Sequence, residues 1–392
     1  MGGMAFFARK KNVMKKLFAL PNIYVLLWAL YYTQGTFIAQ GSIWSRGVLL
    51  MFLFISLYYA TLIYLKHQCN RYFKALGVLL LMFTIYGVYG MMSGVSFDYL
   101  KLIYLSLLPT FPFYYWSKKE LITPGWIRIV FFAIAGVVIV QYFSSVRYIE
   151  ANYTETDNSV VNIAYEILAL LPLLFFWKRK PVIQYVMLAV ILAVVLSTVK
   201  RGAIIVGALC AVYFLVSSSK ESANSTKWYV WLLMVAFIIV GVRYVLNFYE
   251  NSTYAQLRME NTMMGDSSGR DFIYSNAWKI FIDSNFFNLF FGHGAWATLR
   301  YMKVLAHNDW LELLVNQGLL GFFLYLNYWF AFYKTFKRNR VTYIKPVLGM
   351  LLIIFFTSTL FSMSYAAMTL PANLALGYSL AINDCGFMKE DN

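Results

Sequence analysis

Long apolar runs and short polar turns alternate along the chain. Runs of about 17 to 25 residues, the length a helix needs to cross a hydrocarbon core of roughly 30 Å, occur at 17–33, 47–65, 73–91, 99–116, 125–143, 160–177, 182–199, 202–218, 228–246, 310–333, 347–363 and 369–384. The pattern predicts an all-α, polytopic integral membrane protein with about 12 transmembrane helices. Most turns between runs are short, and one is not: residues 247–309 form a long polar segment. The chain therefore divides into helices one to nine over 1–246, a large loop over 247–309, and helices ten to twelve over 310–392. A long polar insertion between tightly connected helices is where function concentrates. Inside it, "DSSGRDFIYSNAWKIFIDSN" reads as a helix capped by Ser267 or Ser268, because Phe272, Asn276, Ile280 and Asp283 recur at helical spacing. "FFGHGAWATLRYMK" reads as a glycine-bounded turn leading into a second short helix.

Composition supports the same class: 61% of the 392 residues are hydrophobic and 13% charged, with a mean hydropathy of +0.62, outside the range of soluble globular chains. Charge orients the helices, because basic residues beside short loops stay in the cytoplasm. Placing the amino terminus inside leaves 22 of the 33 basic residues on that face. Both termini are then cytoplasmic and the 247–309 loop faces outward. The net charge of +16 follows from this topology and calls for no nucleic-acid partner. Cys69 and Cys385 fall on the reducing face and Cys210 inside a run, so no structural disulfide is expected. The start, "MGGMAFFARKKNVMKKLFALPN", carries basic residues before its apolar run but no small-residue cleavage site, and reads as an uncleaved first helix.

Some residues resist this pattern. Lys200, Arg201, Arg243, Arg258, Arg270, Lys279, Arg300 and Lys303 are cations on the face where topology disfavours them. "LSTVKRGAII" packs two of them into a turn of three or four residues. They fit either snorkelling to lipid phosphates or an anionic substrate, for which the planar donors of arginine are suited. Glu166, in "NIAYEILALLP", lies about two turns inside the sixth run. It is either a functional group, as ionisable residues at depth often are, or the partner of Lys200 or Arg201. At the mouth of the tenth run stands "AHNDWLELL". Asp309 and Glu312 fit a capping box, which leaves His307 and Asn308 before the cap. A neutral imidazole at a helix mouth beside arginines suits a general base near neutral pH. Alternatively, His307 is a loop histidine bonded to a carbonyl. His293, between two glycines, fits a turn. No helical or Cys/His ligand spacing marks a metal site, no nucleotide-binding loop is present, and no internal repeat of the transporter kind is found. No cofactor is expected.

"LSTVKRGAII", "SGRDFIYSNAWKIFIDSNFFNLFFGHG" and "AHNDWLELLVNQGLLGFFLYL", in this order over residues 160–335, resemble the bacterial O-antigen polymerase and O-antigen ligase superfamily. The amino-terminal third matches only as generic membrane helices. The resemblance implies a GT-C-like, metal-independent, inverting glycosyltransferase of the bacterial inner membrane, with its active site on the periplasmic face. Donor and acceptor would be glycans linked to undecaprenyl diphosphate, beside a partner that regulates chain length. Arg201 and Arg270 would bind the diphosphate, helped by Lys200, Arg300 or Lys303, and His307 would sit at the acceptor hydroxyl with Asn308 orienting it. The product would be O-antigen, capsular or exopolysaccharide. Ligases of the superfamily, which pass the glycan to lipid A-core in lipopolysaccharide biosynthesis, often place a further histidine or charged residue near the position of His307. Asn308 and Asp309 stand there instead, which favours the polymerase. A flippase for the same lipid-linked glycan is a second alternative. It is disfavoured by the single large loop.

Overall fold

The computed structural model describes residues 19–34, 39, 41–66, 69–152, 163–177, 180–219, 269–366 and 369–390, with isolated positions between 239 and 260. The run at 228–246 and the capping positions Ser267 and Ser268 lie outside this set, apart from single residues of the former.

Among the described residues the fold is all-helical, without a β-strand. Helix α1 (Leu20–Tyr32) starts on Pro21, whose missing N–H costs nothing in a first turn. Helices α2 (Ile43–Leu65) and α3 (Arg71–Met92) start on side-chain caps, Ser42 accepting from the Ser45 amide at 3.2 Å and Asn70 from the Phe73 amide at 3.0 Å. The single run expected at 99–116 is two helices, α4 (Asp98–Leu107) and α5 (Thr110–Lys118), because Pro109 between them has no N–H to carry the ladder forward. Helix α6 (Pro124–Asn152) is longer than its apolar run. The run at 160–177 resolves into a short helix, α7 (Ala164–Leu168), and a 3₁₀ turn at Leu171–Trp177 containing Pro172. Helices α8 (Pro181–Ser197) and α9 (Arg201–Ser219) follow.

Among the described residues, the segment before the tenth apolar run contains the short helices α10 (Arg270–Ile282), α11 (Phe286–Phe291) and α12 (Ala297–Met302), and α13 (Asp309–Arg338) and α14 (Lys345–Phe361) follow. A 3₁₀ turn at Ser364–Ala366 leads to α15 (Leu370–Glu390). Among the described residues, four stretches are long and apolar enough to cross a membrane, namely α2, α3, Pro124–Tyr148 of α6 and Arg201–Ser218 of α9. They expose large apolar residues such as Phe54, Ile85, Ile129 and Val212, a surface that lipid favours and water does not. This is the build of an α-helical membrane protein. Inside the bundle, α15 packs on α5, α13 on α3 and α9 on α14. Aromatic side chains dominate the core; Tyr24 is wholly buried, stacked on Phe52 and bonded through its hydroxyl to Ser56 at 2.6 Å.

One irregularity positions the segment that precedes α13. At Gly318, α13 leaves helical geometry, with φ 66° and ψ −161°, a conformation almost confined to glycine. The break releases carbonyls that a continuous helix would occupy, and the turn after α11 takes them: His293 N–H donates to Val315 O and Gly294 N–H to Asn316 O, both at 2.9 Å. The crossing is backbone on backbone. A Cβ on Gly292 would lie 2.4 Å from the Asn316 carbonyl, and one on Gly318 would lie 2.5 Å from the Gly292 nitrogen. Gly318→Ala is therefore expected to cost about 3 kcal/mol or more, from backbone strain plus clash, read as a lower unfolding temperature in detergent; an unchanged transition would contradict the crossing.

Candidate functional site

Two buried carboxylates organise the mouth of α13. Asp309 and Glu312 are both fully inaccessible, and in an apolar interior each must be met by donors. Glu312 accepts from the Ala306 amide at 2.8 Å, from Asn316 Nδ2 at 3.2 Å and from the Thr298 hydroxyl. Asp309 accepts from the Ser364 amide at 2.8 Å and from the Tyr325 hydroxyl. These bonds correct the expected capping box. The N-cap is Asn308, whose Oδ1 accepts from the Trp310 and Leu311 amides at 3.0 and 3.2 Å. Asp309 and Glu312 instead tie α13 to the 3₁₀ turn at Ser364–Ala366 and to the chain leaving α12. Asn308 and Asp are near-equal caps, and the cap that frees Asp309 for Ser364 is the one adopted.

His307 lies between two anchored neighbours. Ala306 is fixed by Glu312 and Asn308 by its capping bonds, and His307 takes a left-handed conformation with φ 51°, uncommon for a residue with a Cβ. Its side chain remains exposed. Desolvation by the protein around it, then the charges of Arg270 and Lys200, hold its pKa below the ordinary 6.5. The imidazole is neutral at neutral pH.

The cations reach it from different elements. Arg270 is the first residue of α10, following Gly269 at the N-cap with φ 72° and no side-chain cap. Lys200 immediately precedes α9, and its Nζ sits 4.8 Å from the centre of the Tyr165 ring. Arg270 also acts on Tyr165 electrostatically. Arg201 opens α9 beside Lys200, half-buried. The next residue, Gly202, fits against Tyr165 and Phe361 so closely that a Cβ would lie 2.5 Å from the Tyr165 hydroxyl. The last turn of α14 completes the frame, with Leu360 O accepting from Tyr274 at 3.2 Å and from Asn308 Nδ2 at 3.4 Å. Lys200, Arg270 and His307 are thus brought together from residues far apart in sequence. The Tyr165 hydroxyl and, on the next residue along α7, Glu166 Oε2 are buried and have no hydrogen-bond partner among the described residues.

Arg300 and Lys303 belong to a different neighbourhood. Arg300 Nη2 donates to the His293 carbonyl at 2.5 Å, and Lys303 ends α12 with φ 63°. His293 serves the turn, its Nε2 paired with Ser284 Oγ at 2.7 Å; desolvation and Arg300 lower its pKa. Between α10 and α12 runs a groove of about 500 Å³ lined by Phe272, Asn276, Lys279, Asp283 and Tyr301. Phe272, Asn276 and Asp283 are three of the residues whose helical spacing marks α10 in the sequence. Tyr165, Tyr274 and Thr298 carry no such signal; only the closeness of Tyr165 to Glu166 points to it. No group of three His, Cys, Asp or Glu side chains among the described residues is arranged to hold a metal ion. Neither a protein-family model nor a curated protein matches this chain.

Protonating His307 beside two cations is unfavourable, so the folded protein binds its proton more weakly than the unfolded chain. Stability contributed by the neutral form is present above pH 6.5 and declines as pH falls toward the lower folded pKa. Arg270→Gln is expected to raise that pKa toward 6.5, measured by histidine-selective NMR or by the pH profile of His307 acylation. An unmoved titration would mean that Arg270 does not face the ring.

Proposed function

We propose that the protein is a glycosyltransferase that polymerises lipid-linked oligosaccharides, moving a glycan from a polyprenyl diphosphate, undecaprenyl diphosphate in bacteria, onto a sugar hydroxyl. The observation that carries this reading is the neutral, exposed imidazole of His307 lying in the field of Arg270 and Lys200. The cations attract a diphosphate, and they add to the desolvation that keeps the histidine unprotonated. An anion-binding site and a base therefore coexist at neutral pH.

In the proposed reaction the acceptor oxygen attacks the anomeric carbon from the face opposite the diphosphate. A carbon–oxygen bond forms as the bond to the diphosphate breaks, and its electron pair leaves with the phosphate oxygen. Arg201, Arg270 and Lys200 stabilise the charge gathering there, which is greater in the transition state than in the bound donor. His307 takes the proton of the attacking hydroxyl, and configuration at the anomeric carbon inverts. Asn308 is committed through Oδ1 to its cap, so its contribution is to fix the backbone beside His307. The unpartnered Tyr165 hydroxyl and Glu166 oxygen suit sugar hydroxyls. The groove along α10 offers aromatic, amide and carboxylate groups for further sugars. Asp309 is fully buried and bonded, so the only imidazole or carboxylate at the 307–309 mouth open to solvent is His307, which supports polymerase over ligase. On this reading Lys200, Arg201, Arg270 and His307 face the periplasm of the bacterial inner membrane and both termini face the cytoplasm.

Arg270→Ala and Arg201→Ala are each expected to lower polymer formation by about 10²-fold or more, the scale of losing a preorganised charge donor, while the proteins still insert. His307→Ala should lose about 10²-fold or more of the rate with donor binding kept. Reconstituted transfer from a synthetic lipid-diphosphate donor reads both; normal chain-length ladders from the arginine variants would remove the diphosphate role. EDTA is expected to leave the rate unchanged, and a loss restored by a divalent cation would place a metal in the reaction.

A further inference from the structure

The far end of α13 holds a second polar site. Helix α13 is about 45 Å long at 1.5 Å per residue, with the His307 cluster at one end and a cavity of about 1380 Å³ at the other. Six cationic side chains line this cavity, Arg71, Lys334, Lys337, Arg338, Arg340 and Lys345, against one carboxylate, Asp384. That carboxylate is engaged by the Tyr114 hydroxyl at 2.7 Å and Asn70 Nδ2 at 3.0 Å. Cations also pack on aromatic faces, Lys334 4.3 Å and Arg71 5.4 Å from the Phe330 ring centre, which restrains them on one wall.

A bias toward basic loops explains cations at a helix end. It does not explain the buried amide in this cavity. Asn339 is 2% exposed and lines the cavity; its Oδ1 accepts from the Val341 amide at 2.8 Å, and its Nδ2 has no partner among the described residues. A buried, unanswered N–H donor among six cations is what an anion would complete. Asn383, 6% exposed, offers an unpartnered acceptor, Oδ1, in the same wall.

The cavity does not stand alone. Tyr213, Val216 and Phe336 line both it and an apolar groove of about 1170 Å³ between α9, α13 and α14. The groove walls include Leu326, Trp329, Leu352 and Phe356. A basic, hydrogen-bonding chamber opening into a long apolar channel has the polarity of one molecule, a phosphate head joined to hydrocarbon chains. We infer that this end of the bundle binds an anionic phospholipid, its phosphate among Arg71, Lys334, Arg338 and Lys345 and its acyl chains along the groove. Basic pockets between membrane helices recognise such headgroups. The Asn383 acceptor fits a headgroup hydroxyl, so a glycerol headgroup is the better occupant than a bare phosphate.

The test is native mass spectrometry of the full chain released from mixed micelles, counting bound lipid, with phosphatidylglycerol, phosphatidylcholine and inorganic pyrophosphate as separate probes. Phosphatidylglycerol is expected to bind roughly tenfold more tightly than phosphatidylcholine. Arg338→Gln with Lys345→Gln should abolish that preference, while Arg128→Gln with Lys180→Gln, whose charges lie outside the cavity, should keep it. Leu352→Trp, which fills the groove, should weaken lipid binding without touching the cations. Equal binding of the two lipids would overturn the proposal, as would equal loss in both double variants. Pyrophosphate binding as tightly as phosphatidylglycerol, with Leu352→Trp without effect, would make the cavity a site for soluble phosphate and overturn the lipid assignment. None of these readouts depends on glycosyl transfer.

Discussion

The fold around the start of α13 depends on the need of two buried carboxylates to be hydrogen-bonded. Asp309 and Glu312 have no access to water, and an unmet carboxylate there would cost several kcal/mol. The chain supplies the donors by folding distant segments onto α13: the amide before His307, the hydroxyl of Thr298 and the amide of Ser364. His307 owes its geometry to this demand. With Ala306 held on one side and Asn308 capping on the other, the backbone between them has little freedom, and a strained conformation is held without a glycine. The imidazole is placed by its neighbours.

Electrostatics at the site follow from the same frame. Arg270 and Lys200 approach from the starts of α10 and of α9, and the charges of both act on His307. Anchoring cations on helix starts leaves their field to act on whatever enters, and the imidazole is the first group to register it.

Much of the architecture was legible in the apolar runs, most of which fall on single helices where the structure describes them, while 99–116 and 160–177 are each broken. What hydropathy alone hid was carried by proline and glycine. Pro109 and Pro172 mark where a run of the right length is not one helix, and Gly318 marks a break inside a run that reads as continuous. At the mouth of α13 the sequence "HND" offers two adjacent residues with nearly equal claims to cap. Local propensity does not choose between them; the tertiary bond from Ser364 to Asp309 does. The cluster of Lys200, Arg270 and His307 was visible as misplaced cations and a stray histidine. Tyr165 and Tyr274 were not, because an aromatic residue in an apolar run looks like any other until its contacts are known. Arg300 shows the converse, a cation as misplaced as the others that serves a turn.

Leu360 O accepts from both Tyr274 and Asn308. A carbonyl oxygen has two lone pairs, so this one is saturated, and its two donors belong to α10 and to the N-cap of α13. Tyr274 stands one helical turn after Arg270, and Asn308 directly follows His307. One oxygen atom thus joins the helix that begins at Arg270 to the cap beside His307, and any motion that draws α14 away would break both bonds at once.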